Sequence, residues 1–274
     1  MKSFKVALLQ MQATKDPLNN MQNLQKGVQR AVNLGADVVC GPELFYILGN
    51  ATQIRDQATP IPGPVSDRLS EMARRNHIYL FPGTLPELAE NGALYNTLVM
   101  FDPEGHWIGR YRKRHLFWVD IPGGLQQDER KFFDPGTEEP SVIKTPLGNF
   151  GTSICYDLRF SEHYRFLAME GAEIHLISSA FTKMTGQAHW KILCQARAIE
   201  TLCFVLAPNQ TGHTKPAPEM YGHSLIIDPW GRILQEAGAG DEVIVADLEE
   251  SSLMDARRRL KGSLSRRDET RRGL

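Results

Sequence analysis

Cys155 closes the apolar run "NFGTSIC" and is followed at once by the polar "YDLRF", which brings Tyr156, Asp157 and Arg159. A thiol at such a boundary is either the last core residue of a strand or a nucleophile presented where a site opens. To attack, it must reach its thiolate form, so a base or a positive charge has to stand nearby. Two other segments offer those groups. "VVCGPEL" sets Glu43 three residues past an apolar run, fixed in a turn by Gly41 and Pro42. A carboxylate at that boundary is partly desolvated and becomes a usable general base. "RYRKRHLF" ends a further run with Lys113 among Arg110, Arg112 and Arg114. Period-two alternation puts Tyr111 and Lys113 on one face, so the lysine turns inward while Arg112 and Arg114 stay in solvent. An inward ammonium, with three donors and a full charge, suits the oxyanion of a tetrahedral intermediate.

Each residue also has a structural reading taken singly. Cys155 can be packing, Glu43 an ordinary loop acid, and Lys113 part of a solvated basic run. Other cysteine chemistries fit less well. A C-x5-R phosphatase loop fails because Arg159 lies four residues after Cys155 and Ser161 occupies the required place. His115, His163, His175, His189, His213 and His223 are present, but none stands in a setting typical of a papain-like partner. Paired metal-ligand spacing is lacking, so no metal is expected. Phe181 and Thr182, just after "HLISS", are candidates for a pocket wall, with plain packing as the other reading.

These residues need elements to hold them. "KVALLQ" and "ADVVC" read as buried strands, and between them Met21, Leu24, Val28, Ala31 and Leu34 recur at helical spacing up to Gly35. Val65, Leu69 and Met72 mark a second helix before the strand "IYLFPG". "NTLVMFDPEGHWIGRYRK" predicts a hairpin turned at Asp102-Pro103-Glu104-Gly105, and "SVIKTPLGNFGTSIC" another turned at Pro146-Leu147-Gly148-Asn149. "SEHYRFLAMEG" predicts a helix with Ser161 as N-cap and Gly171 as its stop. The strand "AEIHLISS", the helix "AHWKILCQARAIET", the strand "LCFVLAP", the hairpin "SLIIDPWGRILQE" and the strand "EVIVADL" follow. "NLGADVVCGPEL" and "MEGAEIHLISSA" echo one another, helix end into buried strand. Two similar halves predict an α/β fold of two sheets packed face to face between helical layers, with no linker dividing them. In the helix after "HW", Arg197 and Glu200 read as structural or interface residues, and Cys40, Cys194 and Cys203 as core.

"GPEL" around Glu43, "YRKRHLF" around Lys113 and "CYDLRF" around Cys155 resemble the three signature segments of the nitrilase superfamily of carbon–nitrogen hydrolases, in the same order and at similar separations of 70 and 42 residues. The resemblance extends from "KVALLQ" to "DPWG". It implies a four-layer α-β-β-α sandwich and a Glu-Lys-Cys triad in which Cys155 forms a thioester. By the same resemblance Glu43 takes the thiol proton and later activates water, and Lys113 stabilises the oxyanion with the backbone N–H of Tyr156. Glu129 in "QQDERKFFDPG" matches a further acid that holds Lys113. "TGQAHW", "ARAIET", "YGHSLIIDPWG" and "HLFWVDIPG" are most similar to the Nit-type amidases, which act on amides of α-keto dicarboxylic acids. Arg159 is then the candidate to grip a substrate carboxylate in a bidentate way, unless it pairs with Asp157 or Glu162 to brace the loop. Two residues depart from the family pattern. Ser161 stands where Pro is usual, and Lys191 replaces the usual Glu after "HW", reversing a charge near the expected pocket rim.

The whole chain sets bounds on partners. Its 274 residues are 42% hydrophobic and 23% charged with a formal net charge of −1, which gives no electrostatic case for nucleic acid or a membrane. The opening apolar run is too short and too soon interrupted for a signal peptide or a membrane span. Four cysteines make no disulfide framework, so reduced thiols and a cytoplasmic location are expected. Residues 1–256 are expected to form the hydrolase domain and residues 257–274 a basic C-terminal tail, solvated or packed on a neighbouring subunit. The expected partners are a small-molecule amide, water and further copies of the chain in a homodimer or larger assembly, with no cofactor. An N-carbamoyl amino acid amidohydrolase or a nitrilase of the same superfamily is the nearest alternative, and a catalytically silent scaffold the alternative of another class.

Overall fold

The computed structural model describes residues 1–260. The first half runs β1 (Phe4–Gln10), α1 (Pro17–Asn33), β2 (Val38–Cys40), α2 (Ala51–Asp56), α3 (Pro64–Asn76), β3 (Tyr79–Phe81), β4 (Thr84–Leu88), β5 (Leu94–Phe101) and β6 (Trp107–Arg112). A short hairpin, β7 (Trp118–Asp120) and β8 (Gln126–Asp128), leads to β9 (Val142–Thr145), β10 (Gly148–Ile154), α4 (Ser161–Met169) and β11 (Ile174–Ser178). The one-turn α5 (Lys183–Thr185), α6 (Lys191–Thr201), β12 (Phe204–Ala207), β13 (Thr211–Gly212) and β14 (Met220–Tyr221) come next. The described chain closes with β15 (Leu225–Ile227), β16 (Ile233–Glu236), β17 (Glu242–Leu248) and α7 (Glu250–Arg259).

One sheet has the order β17-β1-β2-β3-β5-β4 with β6 paired to β5, and the other β16-β15-β12-β11-β10-β9. Each has a parallel centre, β1-β2-β3 in one and β10-β11-β12 in the other. That is the echo seen in the sequence: β1-α1-β2 and β10-α4-β11 are equivalent units. Alternation along β1 shows how the layers form. Val6 and Leu8 enter the core between the sheets with Phe150 and Leu176, while Ala7 and Leu9 pack outward with Leu24 and Val28 of α1 and Leu69 of α3. Phe81 meets Phe150 edge-on across the sheet interface, with ring centroids 5.0 Å apart. Tyr164 of α4 and Cys194 of α6 cover the second sheet from outside. The layering is the expected α-β-β-α sandwich.

Several local expectations change. Leu34 lies past the end of α1 and is exposed, because the chain turns away at Gly35 (φ +81°). Ser161 is the first residue of α4 and not its N-cap. A 3-10 turn over Cys155–Arg159 leads into the helix through Phe160, whose N–H donates to the Asp157 carbonyl, so no side-chain cap is made. The β9–β10 turn is tighter than read, because Gly148 and Asn149 already pair with Thr145 and Lys144. The arginines flanking Lys113 are not free in solvent: Arg112 forms a bidentate pair with the buried Glu87, and Arg114 pairs with Glu139. The basic segment expected from Arg257 starts within α7, where Arg257 donates to the carbonyls of Leu202 and Ala172. Residues 261–274 of that segment lie outside the described residues. No helix among the described residues is long and apolar enough to cross a membrane.

Candidate active site

Three chain reversals at the ends of β2, β6 and β10 meet at one point. After β2, Gly41 runs so close to β3 that a Cβ there would sit 2.1 Å from the Pro82 carbonyl oxygen; a Cβ on Gly83 (φ +101°) would sit 1.9 Å from that of Pro42. The two glycines let the strand ends touch, and the segment that follows Gly41 delivers Glu43 to the interior, 1% exposed. Its Oε1 accepts from Asn96 Nδ2 at 2.8 Å and from Lys113 Nζ at 2.7 Å, and its carbonyl accepts from Gln210 Nε2 at 2.9 Å.

Lys113 follows β6, held by its own N–H to the Asn96 carbonyl, and is as buried as Glu43. Its ammonium donates to Glu43 and, at 2.8 Å, to Glu129 Oε2. Burial opposes its charge, but the carboxylates of Glu129 and Glu43, together with Cys155, outweigh burial and hold its pKa well above the usual lysine value. Glu129 follows β8 and also accepts the Phe117 N–H at 2.8 Å. Burial raises its pKa, with the Lys113 charge opposing and Glu43 adding to the rise.

Cys155 follows β10 with φ +46°, a left-handed backbone that a non-glycine residue adopts only where its surroundings enforce it. Burial, then the Glu43 charge, push its thiol well above the usual range, against the pull of Lys113 and the Ala180 N–H. Burial and Glu43 thus favour the thiol form of Cys155, next to an ammonium bonded to two acids.

Glu43, Glu129 and Cys155 open onto a cavity of about 100 Å³ whose wall also includes Tyr156, Arg159, Phe181 and Thr182. All eight residues singled out from the sequence thus come together, with Lys113 directly beneath. Arg159 pairs with neither Asp157 nor Glu162. Its Nη2 lies 3.3 Å from His189 Nδ1, and its guanidinium lies 5.6 Å and 5.7 Å from the ring centres of Tyr156 and Phe181. Thr182 Oγ1 meets Thr185 Oγ1 at 3.0 Å. Lys191 points away from the cavity to Glu236 at 2.7 Å, so its charge is neutralised there and not presented at the rim. Arg197 braces the Cys155–Arg159 turn through the Leu158 carbonyl and pairs with Glu200.

The sequence reading missed part of the site. Asn96 is a polar residue inside the apolar strand "LYNTLVMF", a signal that marks it in retrospect. The apolar wall of Leu44, Leu48, Ile54, Phe132, Ala217 and Met220 gave no such signal, because it gathers loops distant in sequence. Asp157, His115 and His163 come close enough to share a ligand. Each has a structural partner instead: Asp157 is bonded to His115, and His163 Nε2 lies 3.0 Å from the Thr152 carbonyl.

Comparison with known proteins shows the family of the chain. The carbon–nitrogen hydrolase family model matches residues 5–258. The chain is 39% identical over 263 residues to a deaminated glutathione amidase of Synechocystis sp., covering 95% of this chain and 97% of the relative. It is 35% identical over 260 residues to omega-amidase NIT2 of Mus musculus, covering 95% and 94%. Saccharomyces cerevisiae Nit3, a member of branch 10 of the nitrilase superfamily, superposes with a TM-score of 0.88 at 31% identity over 97% of both chains. A variant of the Nesterenkonia sp. AN1 amidase with acrylamide added to its active-site cysteine superposes with a TM-score of 0.79 at 27% identity, covering 94% of this chain and 98% of that one. With a family match over nearly its whole length and relatives of the same size, the chain belongs to the carbon–nitrogen hydrolases of the nitrilase superfamily and is an amidase of its Nit branch.

Proposed function

We propose that the protein hydrolyses a small linear amide bearing a carboxylate, of the deaminated-glutathione or α-keto acid ω-amide type, through a thioester on Cys155. In this reading Cys155 Sγ attacks the amide carbon as Glu43 takes the thiol proton. The carbonyl oxygen becomes an oxyanion held by the Lys113 ammonium and the Tyr156 backbone N–H. Collapse expels the nitrogen, which receives the proton from Glu43 and leaves as ammonia or an amine. Glu43 then deprotonates a water that attacks the thioester, and a second collapse releases the carboxylic acid and the thiol. Glu129 keeps the ammonium in place through both steps. Arg159 grips the remote carboxylate, with Tyr156, Phe181 and Thr182 as the surrounding wall.

The observation that carries the reading is the buried Lys113 ammonium bonded to both Glu43 and Glu129, which with Cys155 and Arg159 line one cavity. The relatives named for deaminated glutathione and ω-amides support the substrate class. Free buried cysteines suit a reducing compartment, and we place the enzyme in the cytoplasm as a homodimer or larger homo-oligomer. The test is release of ammonia or amine from α-ketoglutaramate and deaminated glutathione, with a nitrile and an N-carbamoyl amino acid as comparators. Turnover of either amide that disappears in a folded Cys155→Ala variant is expected. Inert amides beside an active comparator would move the enzyme to another branch, and turnover by pure Cys155→Ala would remove the nucleophile assignment.

A further inference from the structure

We propose that Asp157 is a positioning residue that sets the register between Lys113 and Cys155. This rests on the roles given to those two residues above. Asp157 is fully buried, and its two oxygens accept four hydrogen bonds. One takes the Tyr111 hydroxyl at 2.8 Å and the Ile154 N–H at 2.8 Å; the other takes the His115 N–H at 3.1 Å and His115 Nδ1 at 2.7 Å. Tyr111 stands two residues before Lys113 and His115 two residues after it. Ile154 immediately precedes Cys155, and Asp157 follows it by two residues. One carboxylate therefore holds the lysine segment on both sides and closes the cysteine turn on itself.

The arrangement is costly to build, which argues against incidental packing. A buried carboxylate is penalised unless its lone pairs are filled. Burial alone would raise the Asp157 pKa, but the His115 bond, the His163 charge and the Ile154 and Tyr111 bonds hold it below the usual aspartate value. The carboxylate is thus an acceptor for all four donors. The ring of His115 lies flat on Phe160, with centroids 3.6 Å apart and planes 12° off parallel, which fixes the plane in which Nδ1 meets Asp157. The Ile154 bond also spans the left-handed Cys155, a conformation that needs outside support. A single tie would join two loops; four bonds divided between the two segments fix their relative position. Displacing a reacting group by 1 Å costs up to about a hundredfold in rate.

The test uses Asp157→Asn and Tyr111→Phe in the full chain, with two readouts. The first is the rate and pH midpoint of Cys155 alkylation by iodoacetamide, followed by peptide mass, which needs no substrate. Asp157→Asn is expected to slow alkylation by between about tenfold and a hundredfold and to move the midpoint to higher pH, because a displaced Lys113 no longer favours the thiolate. The second is amide turnover, where kcat is expected to fall while KM changes by less than about threefold. Tyr111→Phe keeps the ring, loses one bond, and is expected to move both readouts the same way by less. Wild-type alkylation and kcat in folded Asp157→Asn would overturn the proposal. Should that variant not fold, the same result in Tyr111→Phe would overturn it. Shifted alkylation in an enzyme whose wild type hydrolyses no amide would leave the positioning intact and refute the proposed reaction.

Discussion

A lysine with its charge held between two carboxylates stands at the heart of this site, and the resemblance of three short motifs to those of a known family pointed to it. Glu43, Lys113 and Cys155 each had an ordinary reading alone; the order of their segments, through the resemblance it carries, pointed to one shared site. Glu129 was legible through resemblance, and the structure places its carboxylate 2.8 Å from Lys113 Nζ. Asp157 was visible only as a possible partner of Arg159, because its bonds run to side chains more than forty residues away. Among the described residues Arg159 pairs with no acid, which makes a prediction at this scale. Arg159→Ala is expected to lower kcat/KM for α-ketoglutaramate by roughly 30-fold, about 2 kcal/mol of lost charge-assisted bonding, chiefly through KM. A simple aliphatic amide without a carboxylate is expected to be turned over by wild type and variant alike. Equal losses on both substrates would mean that the arginine supports the fold of the cavity and not the grip on the acid.

At the level of elements, the site is made by strand ends that run unusually close together. Apolar strands such as "KVALLQ" and "EVIVADL" were readable because burial on both faces leaves a continuous hydrophobic run. The strand β4 was missed because its "TLPEL" carries a proline, and the β7–β8 hairpin because its alternation is short and mostly polar. That hairpin matters, since Phe117 and Glu129 stand at its two ends and bond to each other. The close approach of Gly41 and Gly83 gives the prediction here. Gly83→Ala combines a positive φ with a Cβ 1.9 Å from backbone, so a loss of about 2 kcal/mol or more is expected in urea unfolding, with a fall in activity as Glu43 shifts. Gly92→Ala also has a positive φ (+83°) but meets nothing within 4 Å among the described residues, and is expected to cost about 1 kcal/mol with full activity. Equal costs for the two would deny the close approach.

Across the whole molecule, two equivalent strand–helix–strand units face each other, and the site sits where the ends of both meet. The internal echo in the sequence pointed to this layering, and the β9–β10 hairpin was readable from its turn, whereas the pairing of β17 with β1, from opposite ends of the described chain, depends on long-range contacts that no local pattern encodes. The second sheet also carries a titrating group away from the site. His175 is fully buried, donating or accepting at Nε2 with Thr201 Oγ1 at 3.0 Å, and its Nδ1 has no hydrogen-bond partner among the described residues. Burial, followed by the charges of His163, Arg257 and Arg197, lowers its pKa to about 3. The unfolded chain therefore binds this proton well before the folded one, so stability falls on acidification from neutral pH toward pH 3. His175 alone accounts for about 2 kcal/mol between pH 7 and pH 5. Urea unfolding of wild type and His175→Asn at both pH values is expected to differ in slope by that amount. His163 acts in the same direction and Glu129 in the opposite one, and both cancel in the comparison. Parallel slopes would show that His175 is not buried neutral.

The central claim is that Cys155 carries the acyl group. The most direct measurement is rapid acid quenching of the enzyme during turnover of α-ketoglutaramate, followed by mass analysis of its peptides. An acyl adduct on the peptide containing Cys155 is expected during turnover, and none in Cys155→Ala. Steady turnover with an acyl adduct on another residue, or undiminished turnover in Cys155→Ala, would contradict it.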